Sequence, residues 1–126
     1  MKTLLVALCL LLFGCKDNLS PVNTSIYYHQ VTLVATSDGF ETTTVTYQVG
    51  TDNGSFPIGS KSFFNITPGT QILLTVTGSN APVPPNGQQP VPGLVSASIF
   101  VDNLKWQSSN GGGQLNASAT ATGTIP

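Results

Sequence analysis

The sequence predicts an all-β fold, a single antiparallel, immunoglobulin-like β-sandwich of about seven strands. Three observations support this prediction. From Tyr27 onward, apolar and polar residues alternate in short segments, and turn signals rich in Gly, Pro and Asn separate these segments at intervals of roughly 8–12 residues. The third is that no stretch of this region repeats its apolar residues with the period of an α-helix.

The predicted strands are, in order, 27–36, 42–50, 61–66, 71–77, 94–101, 104–107 and 114–122. The second is the clearest, because Val45, Tyr47 and Val49 alternate with polar residues, as in a strand with one buried face. We expect these segments to form two sheets whose apolar faces pack against each other.

The alternation also predicts which side chains enter the core. In segment 61–66 it directs Phe64 and Ile66 inward and Phe63 toward the polar face. In segment 114–122 it directs Leu115 inward together with a row of alanines. Such small inward side chains predict close packing against another sheet or against Trp106.

Turn chemistry sets the predicted strand boundaries. Asp52-Asn53-Gly54 predicts a hairpin turn, and Thr67-Pro68-Gly69 predicts a type II turn with glycine at positive φ. Asp102-Asn103 predicts a further turn, and the glycine-rich segment 108–113 a flexible loop. Segment 79–93 contains five prolines, so we expect a long loop that projects from the sandwich.

The first fourteen residues have the pattern of a signal peptide. Lys2 gives a short positive region, and residues 3–13 are almost entirely apolar. This stretch is shorter than the roughly 20 apolar residues that a membrane-spanning helix needs. The sequence therefore predicts a signal peptide over residues 1–14, a polar tether over 15–25 and the sandwich domain over 26–126.

Leu12-Phe13-Gly14-Cys15, at the end of the apolar stretch, resembles the lipobox of bacterial lipoproteins. This resemblance implies cleavage before Cys15 and attachment of lipid to its thiol, so that a membrane is the first partner. The following Lys16-Asp17-Asn18 resembles the export tag of surface lipoproteins of Bacteroidota. It implies the outer membrane, on the periplasmic or the cell-surface face. The alternative is an ordinary secretory signal that leaves Cys15 as a free thiol.

Charge and cysteine content exclude several classes of protein. The chain has four Lys and no Arg, with a net charge of −1, so no basic patch is available for nucleic acid. Of the two cysteines, Cys9 lies in the signal peptide and Cys15 is used for the anchor. The domain is therefore expected to fold without a disulfide.

The order of several short motifs resembles that of MmpS-like domains, which are small β-sandwiches of actinobacterial envelopes. The matching residues are Val31-Thr32-Leu33-Val34, Val45-Thr46-Tyr47, Phe56-Pro57 and Ser98-Ile99-Phe100-Val101-Asp102-Asn103. Ile58 replaces a tryptophan of that pattern, and the late cysteine pair is missing. The resemblance implies a sandwich and an accessory role in the envelope, without implying any site residue.

The residues needed for catalysis are scarce. Asp38 and Glu41 flank one turn, but solvated turn carboxylates are the simpler interpretation, and His29 is expected to be a hydrogen-bonded strand residue. Asp52, Asn53 and Ser55 offer oxygens to Ca²⁺, although Asp-Asn-Gly is first a turn sequence. We therefore expect no enzyme, metal or cofactor, and regard a hydrolase or metal-dependent enzyme as the remotest alternative.

Binding is the better-supported class of function. Phe63, Phe100 and Trp106 are candidates for an exposed aromatic patch, and Pro84 and Pro85 for a stiff recognition loop. The sequence thus predicts a lipid-anchored interaction or accessory module that binds an envelope protein or a glycan. A structural lipoprotein without a specific ligand is the alternative, favoured if the aromatic residues are covered by the other sheet or the loop.

The anchor gives a first prediction. Changing Cys15 to Ala removes the thiol that is alkylated, so metabolic labelling with an alkyne fatty acid should no longer mark the protein. Cys9→Ala is the matched control and should keep the label, because this residue leaves with the signal peptide. Label that persists in the Cys15→Ala variant would contradict the lipobox interpretation.

Overall fold

The computed structural model describes residues 25–83 and 85–126, which contain eight strands and no helix. The strands are β1 (His29–Asp38), β2 (Thr42–Val49), β3 (Asp52–Ser55), β4 (Gly59–Ile66), β5 (Gln71–Ser79), β6 (Gly93–Val101), β7 (Leu104–Gly113) and β8 (Asn116–Thr124). No helix in the described part of the chain could span a membrane. The predicted signal peptide and residues 15–24 of the tether lie outside the described residues.

The strands form two four-stranded antiparallel sheets, so the predicted all-β sandwich is confirmed. Sheet A has the order β4-β1-β6-β7, and sheet B has the order β3-β2-β5-β8. The short β3 is the strand that the sequence interpretation did not count. The immunoglobulin-like part of the prediction is not confirmed. In the constant-type immunoglobulin sandwich the first two strands share a sheet, whereas here β1 and β2 lie in opposite sheets.

The core lies between the sheets and follows the predicted alternation. On β1 and β6, for example, Leu33 lies opposite Ile99 and both are fully buried. On β5 and β8, the buried Leu74 lies opposite the buried Ala121. The complete buried apolar set is Val31, Leu33, Ala35, Val45, Val49, Ile72, Leu74, Val76, Val95, Ala97, Ile99, Ala117, Ala119, Ala121 and Ile125.

Two of the predicted turns form as expected. Thr67-Pro68-Gly69 closes with a hydrogen bond from the Thr70 N–H to the Thr67 carbonyl at 3.3 Å, and Gly69 has a φ of 84°. Asp102 and Asn103 both have positive φ values, 50° and 66°, which is the geometry of a type I′ hairpin turn.

The predicted turn at Asp52-Asn53-Gly54 is wrong, because these residues form most of β3. The chain reverses instead at Gly50 and Thr51, where Gly50 has a φ of 59°. Gly54 pairs with Tyr47 of β2, and a Cβ on Gly54 would lie 3.1 Å from the Tyr47 hydroxyl. This glycine therefore makes room for an aromatic ring and does not mark the turn.

The predicted facing of the two phenylalanines in β4 is also wrong. Phe63 packs against the core, whereas Phe64 is 66% exposed. The cause is an irregularity in the pairing with β1: His29 lies opposite Ile66, but Val31 lies opposite Phe63. One extra residue on β4, with Asn65 at a φ of 58°, reverses the alternation, as a β-bulge does.

The glycine-rich segment 108–113 is not a flexible loop but the second half of β7. It pairs with β6 from Ser98↔Ser108 to Gly93↔Gly113. A Cβ on Gly111 would overlap the Ser118 carbonyl of β8, so glycine permits a close approach of the two backbones. The turn lies instead at Gln114 and Leu115, and Leu115 is 43% exposed where the sequence predicted it inward.

Two adjacent glycines test this close approach. Gly111→Ala places a methyl group against the β8 backbone and should lower the free energy of unfolding by about 1–3 kcal/mol. Gly112→Ala meets mainly the flexible Leu94 side chain, so it should change stability by less than about 1 kcal/mol. Urea unfolding of both variants measures the difference, and equal stabilities would contradict the described packing.

Candidate binding surface at the loop end

The two ends of the sandwich carry different turns and loops. At one end, here called the N-terminal end, the chain enters β1 and the turns at 50–51, 67–70 and 102–103 lie close together. At the other, here called the loop end, lie the β1–β2 turn, the long loop 80–92 and the β7–β8 turn. The loop end carries the concavities described below.

Asn80 holds the three segments of the loop end together. Its Nδ2 donates to the carbonyls of Gly39 (3.3 Å) and Gln114 (2.9 Å), and its Oδ1 accepts from the Glu41 N–H (2.8 Å). The backbone N–H of Asn80 also donates to the Leu115 carbonyl at 2.8 Å. One amide side chain thus links the start of the long loop to both neighbouring turns.

Phe40 packs against the strands at both ends of the long loop. Its ring lies against Gly78 on β5 and Gly93 on β6, where an added Cβ on either glycine would overlap the ring. Nearby, the Glu41 carboxylate accepts a hydrogen bond from the Ala81 N–H at 3.2 Å. The predicted projecting loop is therefore anchored at its base, and the part without such contacts is shorter than the predicted segment 79–93.

The surface around the loop is apolar and acidic. Val91 is 78% exposed and Leu94 is 63% exposed. A concavity of about 240 Å³ lies between the loop and the β7–β8 turn, lined by Pro82, Val83, Gln89, Pro90, Gln114 and Leu115. A second, of about 460 Å³, borders Leu94 and Asp38 on the outer face of sheet A. Exposed apolar side chains beside shallow concavities are typical of protein-binding surfaces.

The structure does not bring the predicted aromatic residues together. Phe63 lies between the sheets at the edge formed by β3 and β4, with its ring centroid 5.2 Å from that of Tyr47. The Lys61 ammonium lies over both rings, 5.4 Å from the Tyr47 centroid and 5.7 Å from that of Phe63. This cluster fills the open edge of the sandwich and leaves little of Phe63 available to a ligand.

Phe100 and Trp106 lie elsewhere. Phe100 is on the outer face of sheet A, half-buried, with the Lys105 ammonium 6.0 Å from its ring centroid. Trp106 packs against the core over Gly123, where a Cβ would overlap the indole. The sequence predicted that the small inward side chains of segment 114–122 pack against another sheet or against Trp106; the contact with Trp106 is made by Gly123, one residue beyond that segment.

Of the two prolines predicted for the recognition loop, the structure describes one. Pro85 is exposed in the long loop, and Pro84 lies outside the described residues. The sequence interpretation located the loop but missed Asn80, which fixes it. An asparagine directly after a strand carries no signal for three separate partners, because those partners come from turns far apart in the chain.

His29 is hydrogen-bonded, as predicted, and its partner is Asp102 of the β6–β7 turn. The His29 Nδ1–H donates to Oδ2 at 2.7 Å, and the Gln30 N–H donates to Oδ1 at 3.0 Å. These two bonds, the backbone one first, hold the pKa of the Asp102 carboxyl below its ordinary value. The pair ties the start of β1 to this turn at the N-terminal end.

The oxygen donors considered for Ca²⁺ are all exposed on β3, and the Tyr47 hydroxyl donates to the Asp52 carboxylate at 3.3 Å. Across residues 25–83 and 85–126, no three His, Cys, Asp or Glu side chains are grouped as metal ligands would be.

The Asn80 network predicts a large difference between two asparagines of the same loop. Asn80→Ala removes three side-chain hydrogen bonds and should lower the free energy of unfolding by about 1–3 kcal/mol. Asn86→Ala changes an exposed loop residue and should have an effect below about 0.5 kcal/mol. Thermal and urea unfolding measure both, and a neutral Asn80→Ala would contradict the network.

The lowered pKa of Asp102 predicts an acid dependence of stability. The ionised carboxylate stabilises the fold above its unfolded pKa of about 3.9, and this contribution is lost as the pH falls through the lower folded pKa. Asp102→Asn should therefore flatten the decline of stability between about pH 5 and pH 2. The Asp38→Asn variant is the control. If it flattened the decline of stability with falling pH as much as Asp102→Asn does, the attribution of this dependence to Asp102 would be wrong.

Comparison with known proteins returns no match: no protein family, no curated protein and no solved structure matches this chain.

Proposed function

We propose that this chain is a lipid-anchored, non-enzymatic module of the bacterial outer envelope that binds a protein partner through its loop end. The observation that carries this proposal is the placement of the entering chain and the long loop at opposite ends of the sandwich. The anchor itself rests on the resemblance of Leu12-Phe13-Gly14-Cys15 to a lipobox.

The geometry suits a module that presents its loop away from a membrane. β1 runs from His29 near the entering chain to Asp38 at the loop end, ten residues in all. A strand of this length spans about 30 Å. A domain held by its N-terminus therefore places the loop about that distance beyond its point of attachment.

The chemistry of the loop end favours a protein over a glycan. Sugar binding commonly uses exposed aromatic rings, but Phe40, the aromatic residue described at this end, is half-buried against two glycines. The exposed large apolar side chains around the loop include Val91, Leu94 and Leu115, and all three are aliphatic. The contacts of Asn80 and Phe40 hold the base of the loop in place, which reduces the entropy lost on binding.

The charges support a binding role as well. Asp38 and Glu41 lie at the loop end, and the described lysines, Lys61 and Lys105, lie away from it. A partner with a basic and apolar segment would complement this surface. The acid–base pair of His29 and Asp102 lies at the opposite end, away from the concavities around the loop.

A structural lipoprotein without a ligand is the second candidate, and the outer face of sheet B favours it. Thr46, Thr75 and Thr120 lie side by side across three strands, and the outward residues near them are uncharged. Leu73 is the exposed large apolar side chain of this otherwise polar face. A largely uncharged face with a single such residue offers little to anchor a specific partner.

Site-specific photocrosslinking distinguishes the two candidates. A photoreactive residue at position 94 of the membrane-bound protein, outside the long loop itself, should crosslink a defined partner, whereas the same residue at position 73, on the outer face of sheet B, should not. Replacing residues 82–91 by Asn-Gly, with Asn80 and Ala81 kept, should abolish the crosslinked product. Because the entropy of loop closure changes by only about 0.6 kcal/mol per doubling of length, stability should stay within about 1 kcal/mol. If the residue at the loop end also gave no defined product, the structural role would be favoured.

A further inference from the structure

We infer that the N-terminal end of the sandwich rests on the surface of the lipid bilayer, so that the domain stands upright on the membrane. This inference rests on the proposed lipid anchor at Cys15. It adds a second, non-covalent contact, which fixes the orientation of the domain. The surface concerned is separate from the loop end, and its occupant is the bilayer to which the chain is attached.

Large apolar side chains are concentrated at this end on three separate pieces of chain. They are Ile26 (60% exposed), Tyr27 (68%) and Tyr28 (52%) on the entering segment, Phe64 (66%) on β4 and Leu104 (74%) at the start of β7. Exposed apolar residues scattered singly need no explanation, but residues gathered from three segments indicate a contact surface.

Specific local interactions hold these side chains at the end. The bulge at Asn65 turns Phe64 outward, although a regular strand would have buried it. Tyr27 packs edge-on against His29, with ring centroids 5.1 Å apart. Because His29 is in turn hydrogen-bonded to Asp102, the entering segment is fixed to the turn that precedes Leu104. The apolar surface is thus part of the folded domain.

The length of the tether identifies the bilayer as the occupant. Ile26 lies eleven positions after Cys15, which corresponds to at most about 40 Å of extended chain. The N-terminal end therefore stays within reach of the bilayer, and a short tether raises the effective concentration of even a weak contact. The loop end, about 30 Å further away along the strands, is held off the membrane.

The chemistry of this end also fits a lipid–water interface. Tyrosine is enriched at membrane interfaces because its ring is apolar and its hydroxyl is polar. Lys105 follows Leu104, and its ammonium lies near the Phe100 ring on the outer face of sheet A. A lysine in this position can reach anionic headgroups while Leu104 enters the apolar region. Asp38 and Glu41 lie at the opposite end, whereas Asp52 and Asp102 lie at this end, where the Asp102 carboxylate is hydrogen-bonded to His29 and to the Gln30 N–H.

Two single-cysteine variants test the orientation. In the mature lipidated protein the Cys15 thiol is blocked, so Leu104→Cys and Leu115→Cys each provide one free thiol for an environment-sensitive fluorophore. The labelled proteins are reconstituted into phosphatidylethanolamine–phosphatidylglycerol vesicles with and without doxyl-labelled lipid. The probe at 104 should shift its emission to the blue and be quenched at least twofold more strongly than the probe at 115. A labelled Tyr28→Cys variant should behave like the probe at 104.

The outcomes separate this inference from the proposed function. Vesicle flotation first reports whether the protein is anchored, and failure to float would refute the anchor and the inference together. Flotation with equal, weak quenching at 104 and 115 would overturn the inference alone. A blue shift at 104 without lipid quenching, increasing with protein density, would assign the surface to a second copy of the chain and also overturn it.

Discussion

The close approach of β7 to β8 is the constraint on which the rest of the sandwich depends. Glycine at positions 111 and 113 lets the backbones of two different sheets approach at this side, and the alanines of β8 keep the space beside them narrow. At the opposite side Tyr47, Phe56 and Phe63 fill a wider gap between the sheets. The two sheets are therefore closed at one edge and held apart by aromatic rings at the other. A domain without a disulfide in its described part is closed here by backbone contact and aromatic packing.

This arrangement leaves the ends of the sandwich, more than its edges, available for interaction. The open edge is protected in three ways that disfavour pairing with another chain. The strand β3 is only four residues long, β4 contains a bulge, and the Lys61 ammonium lies over the Tyr47 and Phe63 rings between the sheets. Along the other edge β7 covers part of β8, since a Cβ on Gly111 would meet the Ser118 carbonyl. Strand addition is thus disfavoured at both sides, and the exposed apolar side chains lie mainly at the two ends.

Sequence reasoning predicted the features of the fold that depend on local chemistry. The alternation of Val45 and Val49 and the turn at Thr67-Pro68-Gly69 are encoded by neighbouring residues, and both formed as expected. The errors arose where a distant strand decides the outcome. Glycines in 108–113 indicate flexibility when considered alone, but β8 requires them for packing, and the register of β1 against β4 reversed Phe63 and Phe64. The candidate surface was predicted only as a loop, because the partners of Asn80 come from turns on either side of it in the sequence.

The Asn80 network explains how a proline-rich loop can be both long and well placed. Prolines limit the conformations of the loop, but they cannot fix its direction, because they donate no backbone hydrogen bond. Direction comes from the base, where the Asn80 side chain contacts the turns on both sides and Phe40 packs between the two strands that carry the loop. Those strands, β5 and β6, are central in opposite sheets, so the loop also connects the two layers of the sandwich. Its orientation is therefore coupled to the packing of the core, and the base of the loop belongs to the scaffold that presents its outer part.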